Sequence, residues 1–278
     1  QLEWEPLPIE LYDDIMEYNS QVDGAKSNKG RKIKVTKILA TKANGVQDMM
    51  KFVVPPTSAG GSAAATTYVV NVSNSTTTVN DQSGNSYNLT QTWGSFGTYN
   101  GVDCFYNGWG TTGYLTLTSW DNIPSGNSDR TILLWAYPTG YSTSYRRYFI
   151  GYGGSSDGTA VYFSIETSWK PRASIYNKSI TGSDLMSTSS WSLLTFTSTG
   201  NTFNFYVNWT SVWSNTWTIN TTAISSSYPL RLMRSSTNSS TNYQLRGYIS
   251  EVIIENKTRT AVEIADYYNS TKSRYGIS

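Results

Sequence analysis

From Thr67 to the C-terminus, the chain is a succession of short apolar segments separated by turn residues. β-Branched and aromatic residues fill the segments, and Gly, Asn and Ser occupy the turns between them. This alternation is typical of a β-sandwich or jelly roll. Near the C-terminus, apolar residues at helical spacing predict one short helix within residues 259–275. The clearest predicted strands are residues 68–72, 102–106, 114–119, 131–137, 148–151, 160–165, 191–198, 203–209, 230–233 and 247–254.

Residues 1–54 differ from the rest because charged side chains are concentrated there. Their apolar spacing predicts a helix near residues 9–22 and a β-hairpin within residues 32–54. The Pro/Gly/Ser/Ala stretch at 55–66 is typical of a linker to the domain at 67–278. So small a helix-plus-hairpin unit rarely folds alone, so we expect it to dock on a neighbour and mediate self-association.

Missing and rare residues exclude several classes of chemistry. The chain has no His, so Ser-His-Asp triads, Cys-His pairs and ordinary zinc or copper sites are excluded. Cys104 is the single cysteine, which excludes an intrachain disulfide, and its strand-like surroundings predict a buried thiol. The net charge of +2 is made of interspersed charges, so we expect no nucleic-acid partner. No apolar run reaches transmembrane length.

Five groups of residues, in order along the chain, resemble the laminin G-like members of the concanavalin A-like lectin/glucanase superfamily. Each is similar to a strand, turn or terminal helix that recurs in that family. Trp209 departs from the pattern, since the family usually has a turn glycine there, and this predicts a longer hairpin. The groups are VNDQSGN at 79–85; GVDCFYNG at 101–108 with GYLTL at 113–117; RTILLWAYP at 130–138; WSLLTFT at 191–197 with FYVN at 205–208; and LRGYISEVII at 245–254 with VEIADYY at 262–268.

The resemblance implies a mainly β jelly-roll sandwich with a short C-terminal helix over residues 67–278. Glycoside hydrolases of the same superfamily place carboxylates at alternate positions on one strand. Glu251 and Glu255 offer part of this spacing, but Ile253 lies between them. We therefore expect two exposed glutamates on an edge strand and no enzyme activity, with a glycoside hydrolase as the remote alternative.

Calcium is the one metal ion whose binding the resemblance suggests. Many laminin G-like domains bind Ca²⁺ through aspartates and backbone oxygens, which are the hard ligands that this ion requires. Asp81, Asn85 and Asp103 are the candidate ligands here. The alternative, which we favour, is that Asp81 and Asn85 form hydrogen bonds within the turn at Gly84. No other cofactor is expected.

Tryptophans near predicted turns are the candidates for carbohydrate binding, because sugars stack on aromatic faces and form hydrogen bonds with nearby polar groups. Core or rim packing is the alternative for each of them, since aromatic residues also fill jelly-roll cores. The candidates are Trp93, Trp109, Trp120, Trp169, Trp213 and Trp217.

Glycosylation sequons are confined to the domain at 67–278. The abundance of Ser, Thr and Asn accounts for most of them by chance, and all fit an external location. The candidate residues are Asn71, Asn74, Asn88, Asn177, Asn208, Asn220, Asn238, Asn256 and Asn269.

Two functions follow from these features. The first is a non-enzymatic structural protein of a cell surface or virion, from a thermophilic archaeon or its virus, in which residues 1–66 drive assembly. The second is a carbohydrate-binding adhesin with a glycan partner. Both place the protein outside the cell, and the first residue, Gln1, is compatible with a processed N-terminus.

Overall fold

The computed structural model describes residues 67–71, 78–79, 88–108, 112–118, 123–140, 144–182, 186–187, 189–237 and 240–278. The predicted segment 1–54 and linker 55–66 lie outside these residues. The described part is mostly β, as predicted, and its strands form two antiparallel sheets that face each other.

The first sheet carries the C-terminal helix on its outer face, and we call it the helix sheet. Its strand order is β14-β13-β12-β7-β16-β5-β4, and β1 pairs with β16 beside β5. Its strands are β1 (Thr67–Asn71), β4 (Ser95–Tyr99), β5 (Val102–Asn107), β7 (Arg130–Gly140), β12 (Ser192–Thr199), β13 (Thr202–Val207), β14 (Thr210–Thr216) and β16 (Arg246–Glu255).

The second sheet exposes a polar outer face, and we call it the groove sheet. Its strand order is β11-β10-β9-β8-β15-β6-β3-β2. Its strands are β2 (Thr78–Val79), β3 (Leu89–Thr92), β6 (Tyr114–Leu117), β8 (Arg147–Gly153), β9 (Ala160–Ile165), β10 (Pro171–Ile175), β11 (Lys178–Thr181) and β15 (Leu230–Leu232).

The main core lies between the two sheets. In β6, Leu115 and Leu117 point into this core while Tyr114 and Thr116 point outward, as the period of a strand requires. The buried side chains from both sheets form one continuous cluster, which includes Phe105, Leu134, Phe149, Phe163, Phe196, Phe205 and Ile249. Burial of this apolar surface is the main term that holds the sheets together.

A second apolar cluster lies on the outer face of the helix sheet, beneath the C-terminal helix. Helix α1 (Ala261–Thr271) begins with a capping box between Thr260 and Glu263, and a 3₁₀ turn (Lys272–Tyr275) follows it. The ring of Tyr275 stacks on buried Trp135 at 3.9 Å between ring centroids. β7 is therefore buried on both faces, which explains its nearly continuous apolar sequence.

Within the described residues, no helix combines the length and the apolar character needed to span a membrane.

Candidate functional site

A row of mostly polar residues crosses the outer face of the groove sheet at right angles to the strands. Each member lies directly opposite the next in the strand pairing, so all of them share one face. Neighbouring strands are about 4.8 Å apart, so the row extends for roughly 30 Å. Its members, from β3 to β11, are Thr90, Thr116, Arg231, Gly151, Tyr162, Ser174 and Ser179.

Gly151 lets an aromatic ring lie flat across the middle of this face. A Cβ atom at this position would meet the Tyr162 ring at 2.6 Å and 2.8 Å, so any larger residue would displace the ring. The Tyr162 hydroxyl lies 3.0 Å from Thr237 Oγ1 and 3.3 Å from Ser236 Oγ. Tyr162 therefore links β9 to the segment that follows β15.

That segment, which leads from β15 to β16, divides the face into two grooves. The Met233 amide donates a hydrogen bond to the Phe149 carbonyl at 2.6 Å, which keeps the segment beside β8. Arg231 Nη1 donates to the carbonyls of Ser235 and Ser236 at 3.2 Å and 2.9 Å. Ser236 Oγ also donates to the Gly153 carbonyl at 3.2 Å.

The first groove, which we call the threonine groove, lies over β3, β6 and β15 and encloses about 540 Å³. Its walls are mainly hydroxyl groups, and its charged side chain is Arg231. The Arg231 guanidinium lies 5.6 Å from the centroid of the Tyr114 ring, and the Arg234 guanidinium lies 4.6 Å from it. The lining residues are Asn88, Thr90, Thr92, Tyr114, Thr116, Leu117, Thr118, Ser226, Pro229 and Arg231.

The second groove, which we call the tyrosine groove, lies over β8, β9 and β10 and encloses about 600 Å³. Its aromatic rings contact one another edge to face: Tyr145 and Tyr243 have centroids 5.3 Å apart, and so do Tyr148 and Tyr162. The lining residues are Ser144, Tyr145, Arg146, Tyr148, Tyr162, Glu166, Thr167, Arg172, Ser174, Tyr176, Asn177, Ser235, Thr237 and Tyr243.

Charge in the tyrosine groove is concentrated at Glu166. Its carboxylate accepts a hydrogen bond from Arg172 Nη1 and lies 3.7 Å from Arg146 Nε. Burial raises the pKa of the Tyr148 phenol, although Arg146 opposes this shift, so the hydroxyl stays protonated at neutral pH. The groove thus offers aromatic rings, hydroxyl groups and an ion-paired carboxylate.

The geometry agrees with the chain's family assignment. A sequence profile of the concanavalin A-like lectin/glucanases superfamily, of laminin G type, matches residues 109–265, more than half of the chain. The chain belongs to this superfamily. No curated protein matches its sequence.

Several solved structures share the fold of this superfamily member. Domain 4 of AbnA, an extracellular arabinanase from Geobacillus stearothermophilus in complex with arabinotriose, is 15% identical with a TM-score of 0.55, over 73% of this chain and 97% of that one. Botulinum neurotoxin type C, whose cell entry depends on two ganglioside molecules, is 15% identical with a TM-score of 0.51 (73% and 51%). Trypanosoma rangeli sialidase, in complex with sialic acid, is 12% identical with a TM-score of 0.55 (74% and 33%). The chain thus spans about half of the neurotoxin chain and a third of the sialidase chain in those structures.

None of the predicted tryptophans that the structure describes lines either groove. Trp93 is 73% exposed and Trp213 is 45% exposed, while Trp169 and Trp217 pack against the main core. Trp109 and Trp120 lie outside the described residues. The grooves are lined instead by Tyr114 and by tyrosines of the tyrosine groove, which we did not predict as site residues. The dense run of aromatic and basic residues at 145–148 was the available signal.

Glu251 and Glu255 lie on the helix sheet, on the opposite side of the sandwich from the grooves. The prediction of two exposed edge glutamates is wrong, because β16 is a central strand and Glu255 is only 3% exposed. Arg259 donates two hydrogen bonds to Glu255, at 2.6 Å and 2.7 Å. Arg274 lies 3.3 Å from Glu251. Both carboxylates are therefore engaged by arginines beside the C-terminal helix.

The predicted calcium ligands are described only in part. Asp103 lies on β5, where its carboxylate accepts a hydrogen bond from Thr98 Oγ1 at 2.9 Å. Asp81 and Asn85 lie outside the described residues. The described residues contain no group of three acidic, His or Cys side chains that could hold a metal ion. Calcium binding stays a prediction.

Most of the described sequon asparagines are on the surface. Asn208 is half-buried. The Asn71 side chain and residues Asn74 and Asn238 lie outside the described part of the chain. This placement leaves room for glycans but does not test whether any are attached. The exposed ones are Asn88, Asn177, Asn220, Asn256 and Asn269.

Cys104 is buried on β5, as predicted, and its thiol donates a hydrogen bond to the Gly97 carbonyl at 3.4 Å. Burial raises the pKa of this thiol from 9.0 to about 11. We expect negligible reaction with a thiol reagent at pH 8 in the native protein and full reaction after unfolding, because only the thiolate attacks. A colorimetric thiol assay measures this. The pKa of the Cys104 thiol is higher in the native protein than in the unfolded chain. Its contribution to the free energy of unfolding is therefore present at neutral pH and is lost as the pH rises towards 11.

Proposed function

We propose that the protein is a non-catalytic carbohydrate-binding module that holds a glycan in the tyrosine groove. The observation that carries this proposal is the set of tyrosines, from buried Tyr162 to exposed Tyr145, beside a carboxylate that is already ion-paired. Sugar rings stack on aromatic faces, and hydroxyl, amide and ion-paired carboxylate groups supply directional hydrogen bonds. Because the Glu166 carboxylate is already paired with Arg172 and Arg146, it can accept hydrogen bonds from the hydroxyl groups of an uncharged sugar.

The similar structures support this proposal through their own ligands. The arabinanase domain was solved with arabinotriose, the sialidase with sialic acid, and the neurotoxin enters cells through gangliosides. Laminin G-like domains are typically extracellular, so an external glycan is the partner that we expect for this chain.

The carboxylates of the described residues also favour binding without turnover. Most glycoside hydrolases use two carboxyl groups on either side of the scissile bond. Among the described lining residues, Glu166 is the one carboxylate of the two grooves. A single carboxylate that is ion-paired with two arginines does not supply such a pair of carboxyl groups.

Assembly through residues 1–66 stays a prediction, because these residues lie outside the described part of the chain. It is compatible with glycan binding, since a surface or virion subunit can display a binding domain. Only the glycan-binding part of the proposal rests on described residues.

Replacing Tyr145 with alanine is expected to weaken binding of a neutral glycan about tenfold, because the substitution removes an aromatic face of the tyrosine groove. Tyr145 is 38% exposed, so the fold should be retained. A glycan array identifies a neutral oligosaccharide that binds, and isothermal titration then compares the two proteins.

Trp209→Ala is the matched control. Trp209 is also a large exposed aromatic residue, but it lies at the tip of the β13–β14 hairpin of the helix sheet. The Trp209→Ala variant should bind the neutral glycan with unchanged affinity. Equal losses for the two variants, or an array without any bound glycan, would refute the proposal.

A further inference from the structure

The threonine groove differs from the tyrosine groove in its charge. In the tyrosine groove, the Glu166 carboxylate pairs with Arg172 and lies within ion-pair distance of Arg146. In the threonine groove, Arg231 has no carboxylate within ion-pair distance among the described residues, and no acidic residue is among the described lining. The hydroxyl-rich walls carry no charge of their own. The threonine groove therefore suits an anionic ligand.

The guanidinium of Arg231 is fixed by the protein but only partly used. Its Nη1 atom donates to two backbone carbonyls, which hold it against the segment after β15. Its Nε atom is buried without a hydrogen-bond partner. Buried polar groups are normally paired, so an unpaired donor at a groove is a feature that a ligand can explain.

Thr116 supplies a second, independent observation on the same floor. It lies directly opposite Arg231 in the strand pairing, and its Oγ1 atom is also buried without a hydrogen-bond partner. Thr90 lies opposite Thr116 on the next strand and is exposed. The strand that carries Thr90 therefore lies two strand spacings, roughly 10 Å, from the strand that carries Arg231, in line with the row of polar residues.

The Tyr114 ring of this groove lies near two guanidinium groups. The Arg231 and Arg234 guanidinium groups both lie near the Tyr114 ring, at 5.6 Å and 4.6 Å from its centroid. Burial and, secondarily, the charge of Arg234 lower the pKa of Arg231. A guanidinium group matches the planar geometry of a carboxylate, so Arg231 suits an anion of this shape.

We infer that the threonine groove binds an acidic sugar residue of a glycan, with Arg231 as the partner of its anionic group and Thr90 as a hydrogen-bonding neighbour. The inference rests on the proposed glycan-binding function, but it concerns a separate groove. It assigns two kinds of sugar to the two sides of one sheet: a neutral residue over β8–β10 and an acidic residue over β3, β6 and β15.

Isothermal titration of the whole chain tests this inference with three ligands of equal length: an oligogalacturonate, a neutral galactose oligosaccharide and a sulfated galactose oligosaccharide. Arg231→Gln is expected to weaken binding of the acidic ligand about tenfold to a hundredfold, the loss typical of a charged hydrogen bond. Binding of the neutral ligand should change less than about twofold. The carboxylated and sulfated ligands show which anion the groove prefers.

Arg274→Gln is the matched control, because it removes the same charge from the helix-sheet side of the molecule. It should leave the acidic ligand's affinity unchanged. If Arg231→Gln does not fold, Thr90→Val provides a second test, because it removes an exposed hydroxyl of the groove. It should weaken binding of the acidic ligand and leave binding of the neutral ligand unchanged. In the unmodified protein, binding of the acidic ligand should also weaken between about 0.05 and 0.5 M salt, while binding of the neutral ligand stays constant.

Equal affinity for acidic and neutral ligands, insensitivity to salt, or an equal loss in Arg274→Gln would overturn the inference. These results leave the tyrosine groove intact as a site for neutral glycans. Loss of neutral binding in Tyr145→Ala would still support the proposed function in that case. A protein that binds none of the three ligands, and no glycan on an array, would overturn both.

Discussion

Replacing Gly247 with alanine is expected to lower the free energy of unfolding by more than about 4 kcal/mol, or to prevent folding altogether. Gly247 lies on central strand β16, at a bulge opposite Pro138, with φ of +137°. A Cβ atom there would meet the Tyr137 carbonyl oxygen at 2.1 Å and Pro138 Cα at 2.9 Å. Because both atoms belong to the backbone of β7, neither can move without opening the sheet.

Gly200→Ala separates this clash from backbone strain. Gly200 also has positive φ, +53°, but a Cβ atom there would have nothing within 4 Å. Alanine at Gly200 should cost only about 1 kcal/mol, which is the strain of the left-handed conformation. Chemical denaturation followed by tryptophan fluorescence measures both variants. A similar loss at the two glycines would show that contact with β7 is not responsible.

The same glycine was one of the residues by which the sequence resembled its family. The pattern at 245–254 predicted a strand that begins with this glycine, and β16 confirms it at Arg246–Glu255. The central strands were predictable because they are buried. β7 and β12 have apolar side chains on both faces, so their ends were predicted to within a few residues.

Strands at the edges of the sheets were harder to predict. The prediction missed four edge strands, β2, β4, β11 and β14, and also β3 and β10, which each lie next to an edge strand. An edge strand needs little apolar alternation, so it resembles a loop in sequence. The longer hairpin predicted at Trp209 is also wrong. Val207 pairs with Thr210, and the turn has two residues because Asn208 adopts the positive φ, +58°, that glycine would supply.

The candidate site could not be predicted from local patterns, since its residues meet only through strand register. Thr90, Thr116 and Arg231 are far apart in sequence, yet they lie directly opposite one another on three adjacent strands. Tryptophans were the predicted binding residues because of their large aromatic faces. Which aromatic residues face a groove depends on register and on the course of the segment after β15, and neither is encoded in the neighbourhood of a single residue.

Replacing Arg130 with methionine is expected to lower the free energy of unfolding by about 3–5 kcal/mol. Arg130 is fully buried, and it has no carboxylate partner among the described residues. Its guanidinium donates to the carbonyls of Pro124, Gly126 and Ser128 at 2.7–3.2 Å. It also donates to the hydroxyls of Tyr152 and Thr221, at 3.0 Å and 2.7 Å. Methionine fills a similar length but leaves these buried acceptors without a donor.

Arg146→Met is the control for this result, because it makes the same change at an exposed site. Arg146 lies 3.7 Å from Glu166 at the rim of the tyrosine groove, and such a contact contributes less than about 1 kcal/mol. Arg130→Lys should give an intermediate loss, since an ammonium keeps the charge but has three donors instead of five. Equal stability of the Arg130→Met and Arg146→Met proteins in urea would mean that the loop at 124–128 is held by packing alone. We expect the free energy of unfolding to be highest with Arg at position 130, lower with Lys and lowest with Met, because each change leaves fewer of the loop carbonyls hydrogen-bonded.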